Sequence, residues 1–314
     1  MESIETNLRR YGLWRLEWEE RIVPVTGDLE EPLFGMADEG FDALAKEVDL
    51  IIHAAAVVNL VYPYSALKAA NVGGTREVLR LACRHGAKPM HHVSTNGIFP
   101  PGNGLCEEET DLEELAEARE DGYGQSKWVA ERLVREALGR GLPVCVYPAR
   151  PDRRGHRRVF TARIRPEVGG WYMEMTPVDF VAVTIQHLAS DQAAQGGTYH
   201  LANPDPPPAG EVFGRLEEQG YPLERLTYDE WLQKIDAAPP EEGSPGEVLQ
   251  GASPLAEELW EQNIYEDHNA RRALNDGPTR PAIDGALMDT YARYFAQQGW
   301  IGVPAALQET RRRG

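Results

Sequence analysis

Three short apolar runs constrain the fold: "DLIIHAAAVVN" (49–59), "PMHHVSTNGIF" (89–99) and "LPVCVY" (142–147). Each is continuously apolar rather than alternating, the pattern of a strand buried on both faces. Between them stand stretches with helical spacing, "SALKAANVGGTREVLRLACRHG" (65–86), stopped by Gly86, and "EDGYGQSKWVAERLVREAL" (120–138). Strand, helix, strand with short links predicts a parallel α/β sheet, because parallel neighbours need a crossover that can hold a helix. "RIVPVTGDL" (21–29) reads as a further strand ending in a turn, and "FDALAKEV" (41–48) as a helix. Ligands of such sheets sit beyond the carboxyl ends of the strands. Those ends carry "GDL", "HAAA" and "STNG", small or polar where a cleft would open.

From residue 196 the texture changes. "GGTYHLANPDPPP" gives a strand and a Pro-rich turn, followed by helical patterns at "AGEVFGRLEEQG", "TYDEWLQKID" and "GALMDTYARYFAQQGW". Residues 237–256 are acidic and rich in Pro and Gly, and read as a loop. The expected organisation is a Rossmann-like sheet domain over 1–195 and a smaller mixed domain over 196–314 that faces the substrate. The net charge of −18 argues against nucleic acid and against an anionic membrane surface, both of which need basic residues. Cys83, Cys106 and Cys145 show neither metal spacing nor a CxxC pair and suit a reducing compartment. The charged first residues are no signal peptide, and no apolar run approaches a membrane span. A cytoplasmic protein is the expectation.

The chemistry centres on Tyr123 and Lys127. Residues four apart lie on one helix face, so the lysine can stand beside the phenol and lower its pKa from about 10. A phenol tuned in this way can give or take the proton at a carbonyl oxygen. Thr95, at the end of the preceding strand, can supply a hydroxyl to the same oxygen. The spacing alone is not decisive: Tyr64 and Lys68 repeat it in "YSALK". With twelve Tyr and five Lys in 314 residues, chance supplies about 0.2 such pairs. Position favours Tyr123, which opens a helix just after a strand that ends in hydroxyls. Tyr64 follows Pro63 with no such strand end before it, and the Tyr64/Lys68 pair reads as structural.

The stretches "HAAAVVNLVYPYSALKAANVGGTREVL", "HHVSTNGIFP", "GYGQSKWVAERLV", "MTPVDFVAVTIQHL" and "YHLANP" together resemble the thioester reductase domains that end some nonribosomal peptide synthetases and occur in carboxylic acid reductases. These domains are extended short-chain dehydrogenase/reductases, and the likeness covers nearly all of 7–300. It implies NADPH as cofactor and an acyl or peptidyl carrier protein, with its phosphopantetheine arm, as partner. The catalytic set it implies is Thr95, Tyr123 and Lys127. It places Asp28 and Leu29 in the turn against the adenine, and His53, Ala54 and Ala55 at the strand end where cofactor passes close to backbone. Asn71 falls on the asparagine near the cofactor side of the cleft. Each has a structural reading as well: Asp28 as a turn former, the alanines as packing, His53 as a core-edge histidine, Asn71 as a cap. The runner-up within the same fold is a dehydrogenase or epimerase of another carbonyl or sugar nucleotide. A third reading, from another class, is a catalytically dead remnant.

Two departures stand against the family pattern. No GxGxxG or GxxGxxG occurs in the 314 residues, so the first βαβ unit, whose turn holds the pyrophosphate, is expected to be missing and NADPH binding to be weak. The family's "YRPG" strand end is replaced by "YPARPDRRGHRRVFTARIRP", within an aberrant segment 148–173 that reads as neither strand nor helix. GC-rich codons for Pro148 to Arg153, read one base later, encode Arg-Pro-Gly-Arg-Ile-Ala. A frameshift is therefore a specific explanation for the segment.

Overall fold

The structure, a computed structural model, describes residues 2–59, 61–115, 121–149, 164–167, 169–190, 196–221, 223–237 and 263–297. Its strands are β1 (Ile51–His53), β2 (Met90–Thr95), β3 (Leu105–Cys106), β4 (Val144–Ala149), β5 (Ile164–Pro166), β6 (Gly197–Thr198), β7 (Glu224–Leu226) and β8 (Ile264–Tyr265). The main sheet has the order β1-β2-β4-β6 and is parallel throughout. Each crossover carries a helix. α1 (Glu2–Arg10) and α2 (Asp38–Glu47) precede β1; α3 (Tyr64–Lys68) and α4 (Gly74–Cys83) join β1 to β2, α5 (Gly122–Gly139) joins β2 to β4, and the helix Val178–Ser190 joins β4 to β6. This is the α/β fold with a Rossmann-like parallel sheet that the three apolar runs predict.

Register explains why the run 142–147 is apolar at successive positions. Val144 and Val146 enter a core with Met90, Val78, Leu81 and Val134, whereas Cys145 and Tyr147 enter another with Ile185, Leu188, Tyr199 and Leu201. Successive strand residues point to opposite faces, and here both faces are covered. His91, on the second face, keeps its polarity by placing Nδ1 2.7 Å from the Tyr147 hydroxyl. Pro148 stands in β4 without an N–H to give. β6 pairs with Cys145 and Val146, so among the described residues Pro148 has a neighbouring strand on one side alone.

Several elements differ from the sequence expectation. Residues 22–28 form no strand; they follow a 3-10 turn (Leu16–Arg21), and Val23 is 82% exposed. An apolar run makes a strand only where a neighbour satisfies its N–H and C=O groups, and no described strand pairs with this segment. The 49–59 run yields only Ile51–His53 as strand. The 65–86 pattern becomes α3, a π-helical turn at Ala69–Gly73, and α4, ending at Cys83. Within 148–173, Pro148 and Ala149 extend β4, and Ile164–Pro166 forms β5, paired with β7. Residues 150–163, on which the frameshift explanation mostly falls, lie outside the described residues. So does the 237–256 loop, apart from Ala237.

A second core gathers Trp171 and Met173 with Val212, Phe213 and Leu216 of the helix Ala209–Glu218, and with Trp231 and Met288. Trp171 and Met173 pack with residues beyond 196, and Gly197–Thr198 pairs with β4 in the main sheet. The buried Glu108 carboxylate, just after β3, fastens the later elements back. It accepts the His200 and Ala270 N–H groups at 2.7 and 3.2 Å, and also that of Asn269.

Candidate active site

The site begins where β2 ends and α5 starts. Thr95 closes β2, is buried, and accepts the Gly97 N–H at 3.1 Å. That bond caps the turn Asn96–Ile98 and leaves the threonine O–H to donate. Asp121 caps α5: its Oδ1 accepts the Gly124 N–H at 2.5 Å, which fixes the helix start. Tyr123 and Lys127 follow on one face, and both are buried. Lys127 Nζ donates to the Val93 carbonyl at 3.1 Å, which brings the ammonium to β2 two residues before Thr95. Burial draws the Lys127 pKa down to about 8, with Glu131 opposing. The repeat of the spacing has no such setting: Lys68 is exposed and Tyr64 only half-buried at the start of α3.

Asn71 is a structural clamp. It lies in the π-helical turn, a geometry often found at functional sites. Its Oδ1 accepts the Val57 N–H at 2.7 Å, and its Nδ2 donates to the Val57 carbonyl at 3.0 Å and to Ser126 Oγ at 2.9 Å. Ser126 Oγ in turn donates to the Tyr123 carbonyl at 2.8 Å. One asparagine therefore ties the segment after β1 to the turn of α5 that carries Tyr123 and Lys127.

His53, at the end of β1, sits 3.1 Å from Thr75 Oγ1, and the Thr75 hydroxyl donates to the Asn71 carbonyl at 2.7 Å. The Nε2 of His53 is thus the donor in this pair. Its ring lies 5.1 Å from that of His92 on the neighbouring strand. Burial first, and Lys127 second, hold the His53 pKa down at about 4. His92 is lowered further by the same burial, by Lys127 and by His53, so both rings are neutral. Beyond His53, Ala54 and Ala55 are exposed, with only methyl side chains over their backbone.

Asp28 and Leu29 lie on the α4 side. Asp28 is exposed, and its Oδ1 accepts the Glu30 N–H at 2.9 Å. Leu29 packs on Gly74: a methyl built there would stand 3.0 Å from Leu29 Cβ. Glu77 Oε2 accepts the Leu33 N–H at 3.0 Å and holds this turn to α4. No hydrogen bond joins Asp28 or Leu29 to Thr95, Tyr123 or Lys127.

Other residues complete the site without a spacing signal. Ser94 Oγ, both amide atoms of Asn96 and both ring nitrogens of His92 are buried with no hydrogen-bond partner among the described residues. Gly122 is the seat of the loop before α3: a methyl there would stand 2.4 Å from the Tyr62 carbonyl oxygen and 2.5 Å from the Tyr64 nitrogen. The adjacency of "YPY" and "GYGQSK" is set by the fold, and only the glycine before Tyr123 hinted at it. Among the described residues no group of His, Cys, Asp or Glu could hold a metal, and no helix is long and apolar enough to cross a membrane.

Residues 1–153 match an NAD-binding family described as "Male sterility protein". The chain is 40% identical to glycine betaine reductase ATRR of Emericella nidulans over 97% of its length, and 33% identical to a linear gramicidin synthase of Brevibacillus parabrevis over 96%. It spans 26% and 6% of the lengths of these two relatives. Among solved structures, the terminal R domain from the myxalamid PKS-NRPS biosynthetic pathway superposes with a TM-score of 0.87. The two are 35% identical, over 96% of this chain and 82% of that one. With Tyr123 and Lys127 buried at the carboxyl end of a parallel sheet, and with that likeness across almost its whole length, this chain belongs to the terminal reductase domains, the thioester reductase family of the extended short-chain dehydrogenase/reductases.

Proposed function

We propose that this chain handles the carbonyl in NAD(P)H-dependent reduction of an acyl thioester held on a carrier protein's phosphopantetheine arm. The observation that carries the reading is the setting of Lys127: buried one turn after Tyr123 and bonded to the β2 backbone beside Thr95. A bound nicotinamide would supply hydride. Ala54 and Ala55 leave approachable backbone at the end of β1, and the unpartnered Ser94 and Asn96 offer polar atoms beside Thr95, so these residues fit such a group.

The chain's own contributions follow from the bonds described. Thr95 donates its O–H to the carbonyl oxygen. Tyr123 donates its phenolic proton to that oxygen as negative charge develops. The Lys127 ammonium favours the phenolate left behind, as it already disfavours protonation of His53 and His92. The resulting hemithioacetal divides into aldehyde and carrier thiol. The carrier protein, the 2′-phosphate preference and the adenine contact at Asp28 and Leu29 belong to this reading.

The test supplies octanoyl-pantetheine with millimolar NADPH, since no Gly-rich turn occurs in the 314 residues, and follows aldehyde or alcohol by mass spectrometry. Product from the wild-type chain that is lost in Tyr123→Phe supports the reading. No product, or product indifferent to Tyr123→Phe, overturns it. Turnover of a nucleotide sugar instead would assign the chain to the epimerase-type chemistry of the same fold.

A further inference from the structure

Residues 50–67 and 89–106 contain no Asp, Glu, Lys or Arg, in a chain that is 26% charged. The second stretch is buried or half-buried as far as Pro100, and burial explains the composition of that part; Pro101 to Leu105 beyond it are exposed. The first is not so explained: after His53 it comes to the surface, where Val57, Val61 and Tyr62 are 39%, 59% and 50% exposed and Pro63 is exposed beside them. Single exposed apolar residues are ordinary. Several on one short loop, with no charge among them, form a patch that calls for an occupant.

The loop is ordered rather than loose. Asn71 holds both backbone groups of Val57, and Asn59 Oδ1 accepts the Val61 and Tyr62 N–H groups at 3.0 and 2.9 Å. The Tyr62 carbonyl rests on Gly122, the residue before Tyr123. An apolar surface is thus pre-organised at the backbone of the proposed proton donor. Asn59 is committed to the loop's own backbone, and residues 50–67 offer no charged side chain to pair with a carboxylate or an ammonium. A cage for a quaternary ammonium needs several aromatic faces, and among the exposed residues Val57, Val61, Tyr62 and Pro63 only Tyr62 is aromatic.

We infer that the loop of Val57, Val61 and Tyr62 is the acyl lip of the site and selects an uncharged hydrocarbon chain on the thioester. This inference rests on the thioester reading above and names its substrate class. The probes are thioethers, which hold no reducible carbonyl: S-octyl-pantetheine, an S-carboxypropyl analogue and an S-trimethylammonioethyl analogue. Calorimetry on the wild-type chain should show the octyl probe binding at least tenfold more tightly than either charged one. Val61→Asp and Tyr62→Asp should each weaken octyl binding at least tenfold, with circular dichroism and Tm unchanged.

Absent octyl binding, equal or tighter binding of a charged probe, or indifference to both substitutions overturns the lip. So does a change from dimer to monomer in the two variants, which would make the patch an interface between copies. Because the probes cannot be reduced, the two readings fail separately. Octyl binding at the lip without any thioester reduction leaves the lip and removes the reductase. Reduction untouched by Val61→Asp and Tyr62→Asp does the reverse.

Discussion

Gly122 supports the carbonyl of Tyr62 so closely that a single methyl would stand 2.4 Å from its oxygen. That contact locks the loop before α3 to the residue preceding Tyr123. Gly122→Ala is expected to cost about 1–3 kcal/mol, the usual range for overpacking, as a lower urea midpoint. The Tyr62 carbonyl is backbone and cannot rotate away, so the loop itself must shift. Gly139→Ala is the control, since a methyl there meets nothing within 4 Å. It should leave the midpoint unchanged or raise it slightly.

Asn71→Ala removes three hydrogen bonds at once and leaves the Val57 groups without their partner. An unsatisfied buried group costs roughly 1–3 kcal/mol, and a loss of that size or more is expected on unfolding by denaturant. Ser126→Ala keeps the Val57 clamp and should cost about 1 kcal/mol. Hydrogen exchange at the Val57 amide separates the two, rising in the first variant and not in the second.

The two tyrosine–lysine pairs should behave oppositely in turnover. Tyr123→Phe is expected to lower kcat by about 10²–10⁴, the usual share of general acid–base catalysis. Tyr64→Phe and Lys68→Met should leave kcat within about twofold, because neither side chain takes part in the proton transfer assigned to Tyr123. Steady-state rates with octanoyl-pantetheine decide.

Lys127 makes stability depend on pH in a defined direction. Its folded pKa, about 8, lies below the ordinary 10.5, so the unfolded chain binds the extra proton between those values. The cost of burying the ammonium is therefore fully present below pH 8 and is relieved as pH rises towards 10.5. Lys127→Met should raise stability at pH 7 by on the order of 2–3 kcal/mol, with the gain fading near pH 10. Thermal melts across that range measure it.

His53 sets the acid side. Its folded pKa is held near 4 against an ordinary 6.5, chiefly by burial. The stability that comes from keeping it neutral is present above pH 6.5 and is lost as pH falls through 4, and His92 adds to the loss in the same direction. His53→Asn and His92→Phe should each flatten the decline in Tm between pH 6.5 and 4.

The shared helix face of Tyr123 and Lys127 is legible from their four-residue spacing, and the strand that ends in "HHVST" precedes their helix, with β3 between. Thr95 is legible as the last residue of that strand. Lys68 is separable from Lys127 only by its neighbours along the chain, and its exposure gives the physical ground for that separation. The clamp of Asn71 on Val57 and Ser126 is not legible. It joins residues 14 and 55 positions apart, through a π-helical turn that helical periodicity does not announce. The strand expected at 21–29 is absent for a related reason: its apolar run Ile22 to Val25 is real, but no described strand satisfies its backbone.

The order of residues alone dictates the parallel α/β sheet and the helix that bears Tyr123 and Lys127. Continuous apolar runs are satisfied by burial on two faces, and a four-residue spacing falls on one helix face. Which lysine is buried, which histidines are held neutral and which loop meets Gly122 follow instead from the packed fold. Desolvation and close approach depend on what arrives from distant parts of the chain, and local sequence does not carry that information.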